Sequence, residues 1–270
     1  MAVQGDPNRF NRVDAESNVG FFVEFLDARK GITEDALIKQ QIIEWMKPLL
    51  GRRVLDVGCG TGDDARAIAE LVGPNGRVVG VDFSTKMLEE ARCRAANLQL
   101  PLEFRAGDAM KLLFDDGSFD YVRAERVLIH LNNARHGLEE MIRVAASKGR
   151  VVASELDLGT AFLDSPYVEV TQTIYKALAD GAQNGRFGRT LARQMREAGL
   201  KNVISQETII HIPRLAMLRM AISGPLNDCV REERISAHDA ERWMQHLEQA
   251  NSIGELHAGG IVFTAAGEKP

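Results

Sequence analysis

An α/β fold, with a mostly parallel sheet covered by helices on both faces, is what this sequence predicts. Three observations predict it. Short β-branched runs alternate with helical stretches over residues 53–154. The first run breaks directly into glycines, in Val54-Leu55-Asp56-Val57-Gly58-Cys59-Gly60-Thr61-Gly62. After Glu155 the alternation gives way to longer helical stretches, which read as an insertion over the sheet.

The elements follow in order. Thr33 caps a helix whose apolar positions Ile38, Ile42, Trp45 and Leu49 recur at helical spacing. Residues 53–57 read as a buried strand and 65–72 as a helix. Gly73-Pro74-Asn75-Gly76 turns the chain into a second strand at 78–81. Ser84 caps a helix that runs to about Ala96. A third strand lies at 102–106. Asp115-Asp116-Gly117-Ser118 then makes a turn before a fourth strand at 119–122. A helix at 138–145 leads to a fifth strand at 151–154. Beyond Glu155 come a helix at 166–182 and another that stops at Gly199. A strand at 203–212, two helical segments (the second capped by Ser236) and a last strand at 260–266 complete the pattern.

Composition narrows the class. The chain has 270 residues, 45% of them hydrophobic, which supports a sizeable core and argues against disorder. Net charge is -5 with scattered Lys and Arg, so neither nucleic acid nor an anionic membrane surface is an expected partner. Cys59, Cys93 and Cys229 are far apart, which fits a reducing cytoplasm better than disulfides or zinc. The first residues are polar and lack an apolar signal core, and no apolar run is long enough for a bilayer.

The glycine loop points to a ligand. Glycines let the backbone approach a bound molecule, and the following helix offers free N–H groups. A dinucleotide fingerprint would place its third glycine three positions after the second. Asp63 holds that position here, and Gly62 comes one residue early. Asp82 ends the second strand at a spacing close to that of the ribose-binding acid of nucleotide sites. Its carboxylate can accept both ribose hydroxyls or cap a helix. Phe83 can pack on a purine face or in the core. Gly107-Asp108-Ala109 ends the third strand, where Asp108 and the Ala109 N–H can meet an adenine edge or form a plain turn.

As a set these residues resemble class I S-adenosylmethionine-dependent methyltransferases, in the group of ubiquinone-biosynthesis-type and natural-product enzymes. The resemblance lies in VLDVGCGTG, VVGVDFSTKML, FRAGDA, FDYVRAERVLIHL and GRVVASELD, over residues 54–157. It extends less specifically to GRFGRTLARQMREAGL and GGIVFTAAGEKP. It implies a Rossmann-like, seven-stranded sheet with a reversed hairpin at its edge. It also implies that Asp56, Gly58, Gly60 and Gly62 hold the methionine end of S-adenosylmethionine, Asp82 the ribose, and Asp108 with Ala109 the adenine. Phe83, Met87, Gly107 and Arg123 complete the expected cofactor set, and S-adenosylhomocysteine is the product. The organisation then reads as an N-terminal helical lid (1–50), a cofactor-binding core (51–157), a helical cap (158–200) and a C-terminal part of the sheet with inserted helices (201–270).

Methyl transfer from a sulfonium needs alignment and exclusion of water, and a base only where the acceptor loses a proton. Residues 123–130 follow the fourth strand and border the methyl group in this fold. They lack an Asn-Pro-Pro-Tyr-type sequence, which argues against nucleobase or amide acceptors and for a small molecule methylated at O, N or C. His130 is the first base candidate, because imidazole titrates near neutrality; a core position is the alternative. Glu125 contacts cofactor or acceptor, or pairs with Arg123 or Arg126. His211 is a weaker candidate. Glu155, Asp157 and Asp164 read as a solvated rim rather than a metal site, so no metal is expected. Phe10, Phe21, Phe22 and Phe25 form a lid or pack as a helix. Phe162, Tyr167, Ile174 and Tyr175 line an apolar pocket, and Arg186 and Arg189 face an acidic acceptor or decorate a helix. Two other readings stand beside this one: a non-catalytic S-adenosylmethionine binder, and a nicotinamide oxidoreductase disfavoured by the glycine spacing.

Overall fold

The computed structural model of the chain describes residues 7–15 and 18–270, so residues 1–6 and 16–17 of the expected lid lie outside it. A 3-10 segment, Pro7–Ala15, is followed by α1 (Val19–Arg29) and α2 (Thr33–Trp45). The alternating core comprises β1 (Arg53–Val57), α3 (Asp63–Val72), β2 (Arg77–Asp82), α4 (Thr85–Ala95), β3 (Leu102–Ala106), β4 (Phe119–Glu125) and α5 (Ala134–Val144). The remainder is β5 (Ala145–Leu163), α6 (Val168–Gly181), α7 (Leu191–Glu197), β6 (Lys201–His211), α8 (Leu215–Arg231), α9 (Ala237–Ser252) and β7 (Ala258–Glu268).

The seven strands form one sheet in the order β3-β2-β1-β4-β5-β7-β6. β1 to β5 pair in parallel, and β7 runs antiparallel to both its neighbours. The sheet is therefore the seven-stranded, mostly parallel one that the resemblance implies, with β6 and β7 as its reversed hairpin. Side chains alternate across it, as the period of two requires. Val54, Val78 and Val152 face Ile38 and Ile42 of α2 and Ile68 of α3. Leu55, Val79 and Val122 face Leu138 and Met141 of α5 and Met195 of α7. Each such fully buried side chain contributes roughly 1.5–3 kcal/mol.

Capping sets several boundaries. Ser84 accepts from the Met87 N–H and Ser236 from the Asp239 N–H, as the sequence suggests. Thr33 does not cap α2: it is the first helical residue, and Ile32 before it makes no side-chain cap bond. Asp63 and Asp64 extend α3 two residues before the expected start, because their charges suit the helix N-terminus. β5 is far longer than residues 151–154, since its second half finds backbone partners on β7 out to Leu163.

Two smaller clusters overlie the sheet. Ile174 of α6, Leu218 and Ile222 of α8, and Trp243 and Leu247 of α9 form the core of a helical cap. Val13, Phe21, Phe22 and Met87 form the core of the N-terminal segment, the one expected from sequence to act as a lid. The lid is fastened to both ends of α4. At one end Asp14 accepts from Ser84 Oγ and from Thr85 N (2.9 Å). At the other, Arg94 donates to both Asp27 oxygens at 2.9 Å. Among the described residues no helix is long and apolar enough to cross a membrane.

Candidate active site

A cavity of about 440 Å³ opens beyond the carboxyl ends of β1, β2 and β4. Those ends face outward together because β1, β2 and β4 are adjacent and parallel, which is where open α/β sheets bind ligands. The glycine loop hangs on the end of β2. Gly58 N and Cys59 N donate to Val81 O at 2.7 and 3.0 Å, and Gly60 N donates to Asp82 Oδ2 at 2.8 Å. Gly58 (φ 67°) is left-handed, and a Cβ there would lie 2.3 Å from Val127. Gly60 (φ 53°) is also left-handed, with Leu26 of the lid above it. Both positions therefore need glycine, for conformation and for close approach.

Of the residues expected at a cofactor, Gly58, Gly60, Asp82, Phe83, Met87, Gly107, Asp108 and Ala109 all line this cavity, as do Glu125 and His130. Asp56, Gly62 and Arg123 do not. Gly62 caps α3 and faces Phe104 and Ala91 instead. Asp56 and Arg123 lie behind the loop in a buried charge network. Arg123 Nη1 donates to Asp56 Oδ1 and Asp64 Oδ2, both at 3.0 Å, and its Nη2 to Glu125 Oε2 at 2.9 Å. Burial pushes the Asp56 carboxyl up to about 6, with Arg123 opposing the rise. Burial works the same way on Asp64, but Arg123 and Lys39 outweigh it and hold that carboxyl well below its usual range. The network continues through Arg29 to Asp35 (2.9 Å) and Glu125 (3.5 Å), and through Arg126 to Asp35 (2.6 Å). Glu125 thus pairs with both Arg123 and Arg29 while bordering the cavity.

His130 ends the 3-10 turn Leu128–His130 that follows β4. Its ring lies 5.5 Å from that of Phe10, centroid to centroid. Burial alone pulls its pKa down to about 4, so the imidazole is neutral at physiological pH.

The methyltransferase-domain family model matches residues 50–250 of this chain. The chain belongs to that family. It is a class I S-adenosylmethionine-dependent methyltransferase, and S-adenosylmethionine is its cofactor. Relatives agree. A 37.1 kDa protein of a Streptomyces fradiae transposon is 32% identical over 235 residues, covering 86% of this chain and 68% of that one. The demethylmenaquinone methyltransferase of Bacillus cereus is 43% identical over 106 residues, 39% of this chain and 45% of that enzyme. The chain therefore matches less than half the length of that second relative. Among solved structures, the YcgJ protein of Bacillus subtilis superposes with a TM-score of 0.61 at 18% identity, over 86% of this chain and 97% of that one. Phosphoethanolamine N-methyltransferase 2 of Haemonchus contortus, solved with S-adenosylmethionine, gives 0.56 at 18%, over 86% and 52% of the two chains. These structures show the fold.

The far wall of the methyltransferase's cavity is apolar, but not through the residues expected from sequence. Leu156 and Leu158 of β5, Leu178 of α6, Ile210 at the end of β6, and Met217 and Ala221 of α8 form it. Ile174, Tyr167 and Tyr175 pack into the cap instead, and Phe162 packs against His211 and His257. Phe10 and Phe25 of the lid do line the cavity, whereas Phe21 and Phe22 are buried in the lid's own core. Arg189 is held by both oxygens of Asp157 at 2.6 and 2.7 Å, and Arg186 pairs with Asp180 at 2.7 Å. His211 pairs with Glu34 at 2.8 Å, away from the cavity. The expected acidic rim is dispersed: Glu155 and Asp157 are fully buried, and Asp164 is not grouped with them. Among the described residues no set of three His, Cys, Asp or Glu side chains is gathered for a metal ion.

Proposed function

We propose that the enzyme methylates an uncharged, largely apolar small molecule, with His130 as general base and Asp82, Asp108 and Ala109 holding the cofactor. The observation that carries this reading is one cavity with two unlike walls: a glycine-and-carboxylate wall on β1, β2 and β3, and an aliphatic wall on β5, α6, β6 and α8. The polar wall has spare hydrogen-bonding capacity. Asp82 accepts one backbone N–H on each oxygen, from Gly60 and Ser84, which leaves a lone pair on each for ribose hydroxyls. Asp108 accepts from Met110 N with Oδ1, and its Oδ2 has no protein partner among the described residues. Phe83 is exposed at the cavity, suited to a purine face. Gly58 and Gly60 leave room for the methionine end, while Asp56 and Arg123 support the loop from behind.

S-adenosylmethionine supplies the electrophilic methyl group. The chain's own residues orient the acceptor, exclude water and accept a proton. Lid and cap close the apolar side with Phe10, Phe25 and Leu178, so that solvent does not compete at the reacting atom. His130 offers a neutral imidazole that can take a proton from an acceptor hydroxyl. An apolar wall, with the cavity's Arg29 and Arg126 both paired to Asp35, favours a quinol- or phenol-like acceptor over a phosphorylated or zwitterionic one. The demethylmenaquinone methyltransferase relative supports the same choice. Methyl-labelled S-adenosylmethionine incubated with a short-chain demethylmenaquinol, a simple phenol and phosphoethanolamine tests it. Label should enter the quinol or phenol; label in phosphoethanolamine alone overturns the acceptor class.

A further inference from the structure

The turn that presents His130 is held at its peptide groups by two side chains outside the cavity. Glu155 of β5 is fully buried. Its Oε1 accepts the N–H groups of Val127 (3.1 Å) and Leu128 (2.8 Å), and its Oε2 that of Ile129 (3.3 Å). Asn184 approaches the carbonyls of the same turn. Its Nδ2 donates to Leu128 O (3.1 Å) and Leu131 O (2.6 Å), and its backbone N–H donates to Ile129 O (3.0 Å). Successive N–H groups at the start of a helical turn have no partner within it. Here a buried carboxyl group, which burial pushes up to about 8 against the pull of these N–H bonds, supplies one for each of three. Burying such a group is expensive, and an apolar residue at 155 would leave three donors unpaired.

We propose that Glu155 and Asn184 are positioning residues for methyl transfer, clamping residues 127–131 so that the His130 imidazole stays fixed and desolvated on the cavity wall. The proposal rests on His130 as the base for its catalytic meaning. His130 has no ring hydrogen-bond partner among the described residues, so its placement depends on its own backbone and on Phe10 beside it. Clamping the backbone therefore orients the ring.

The desolvation of His130 reports the clamp without any acceptor. Histidine-labelled full-length protein is titrated by NMR, and the His130 signal is identified by its loss in His130→Gln. Wild type should titrate near 4. Glu155→Ala and Asn184→Ala should each raise that value by about one pH unit or more, as the loosened turn admits water to the ring. Glu155→Gln, which keeps an acceptor oxygen, should raise it less. Direct electrostatics does not produce a rise: burial pushes the Glu155 carboxyl up to about 8, so it is neutral where His130 titrates and its removal takes away no charge. A rise therefore reports movement rather than lost charge. An unchanged or lowered His130 titration in folded Asn184→Ala or Glu155→Ala overturns the proposal. If Glu155→Ala does not fold, Asn184→Ala and Glu155→Gln decide it. Undiminished methyl transfer by His130→Ala overturns the base reading, and the titration still decides the clamp.

Discussion

Replacing His130 probes both the chemistry and the packing of this enzyme. Burial holds the imidazole pKa at about 4, against an ordinary value of 6.5. As pH falls between those values, the unfolded chain binds a proton on this residue and the folded chain does not. Stability from this group is therefore intact above about pH 6.5 and declines as pH falls toward about 4. The gap corresponds to roughly 3 kcal/mol at the lower end. His130→Ala should remove that pH dependence while leaving a cavity whose cost is independent of pH. In turnover, the alanine variant should lose about 10²–10⁴ in rate, the range of general-base catalysis, with little change in cofactor affinity. The wild-type rate should be level through neutrality and fall only as pH approaches about 4. Single-turnover transfer of labelled methyl across pH, with calorimetric S-adenosylmethionine binding and urea unfolding alongside, measures all three quantities. A variant that turns over at the wild-type rate refutes the base role. A wild-type inflection near 6.5 refutes the buried neutral imidazole.

Asp82→Ala should weaken S-adenosylmethionine binding by roughly 1.5–3 kcal/mol, the scale of hydrogen bonds to a charged group, and calorimetry on the folded variant checks it. Gly60→Val should abolish cofactor binding, because φ at this position is 53° and Leu26 lies just above; normal binding by the folded variant counts against the loop. Arg123→Met should destabilise the fold by about 3–5 kcal/mol, since it strands the buried Asp56 without its cation and takes one partner from the half-buried Asp64 and Glu125; chemical denaturation reads this directly. Asp14→Ala should cost about 0.5–2 kcal/mol at the α4 N-terminus and speed cofactor exchange by loosening the lid, as stopped-flow displacement of bound cofactor would show.

The glycine-and-carboxylate wall of the cavity was legible because it is local. Val54, Leu55, Val78 and Val79 announce buried strands as short apolar runs rich in β-branched valine, and the glycines and Asp82 sit at strand ends where ligands bind. Asp56 was legible as a polar residue in a buried strand, whereas Arg123 was read as lying after the fourth strand and falls inside β4; their pairing was not legible because it depends on the register of β1 with β4. The acceptor wall was less legible. Ile174 and Leu178 share one helical spacing on α6, yet the first packs into the cap and the second lines the cavity. A helix buried on several sides has no single apolar face for periodicity to find. Glu155 resembled a surface acid because nothing local marks the backbone of residues 127–129 as its partner. Arg189 looked free for the same reason, its aspartate lying in another element.

The two walls of the cavity have separate origins along the chain. The glycine-and-carboxylate wall comes from the strand ends between Val57 and His130, whereas the aliphatic wall is drawn from Leu156 to Ala221 and from the N-terminal segment. The halves share little beyond the turn after β4. In evolutionary terms, under the proposed assignment, acceptor preference can drift by substitution at Leu178, Ile210 or Met217 without touching the glycine-and-carboxylate wall. Swapping the α6 and α8 segments between relatives is accordingly a practical way to reprogramme the product while keeping the donor unchanged.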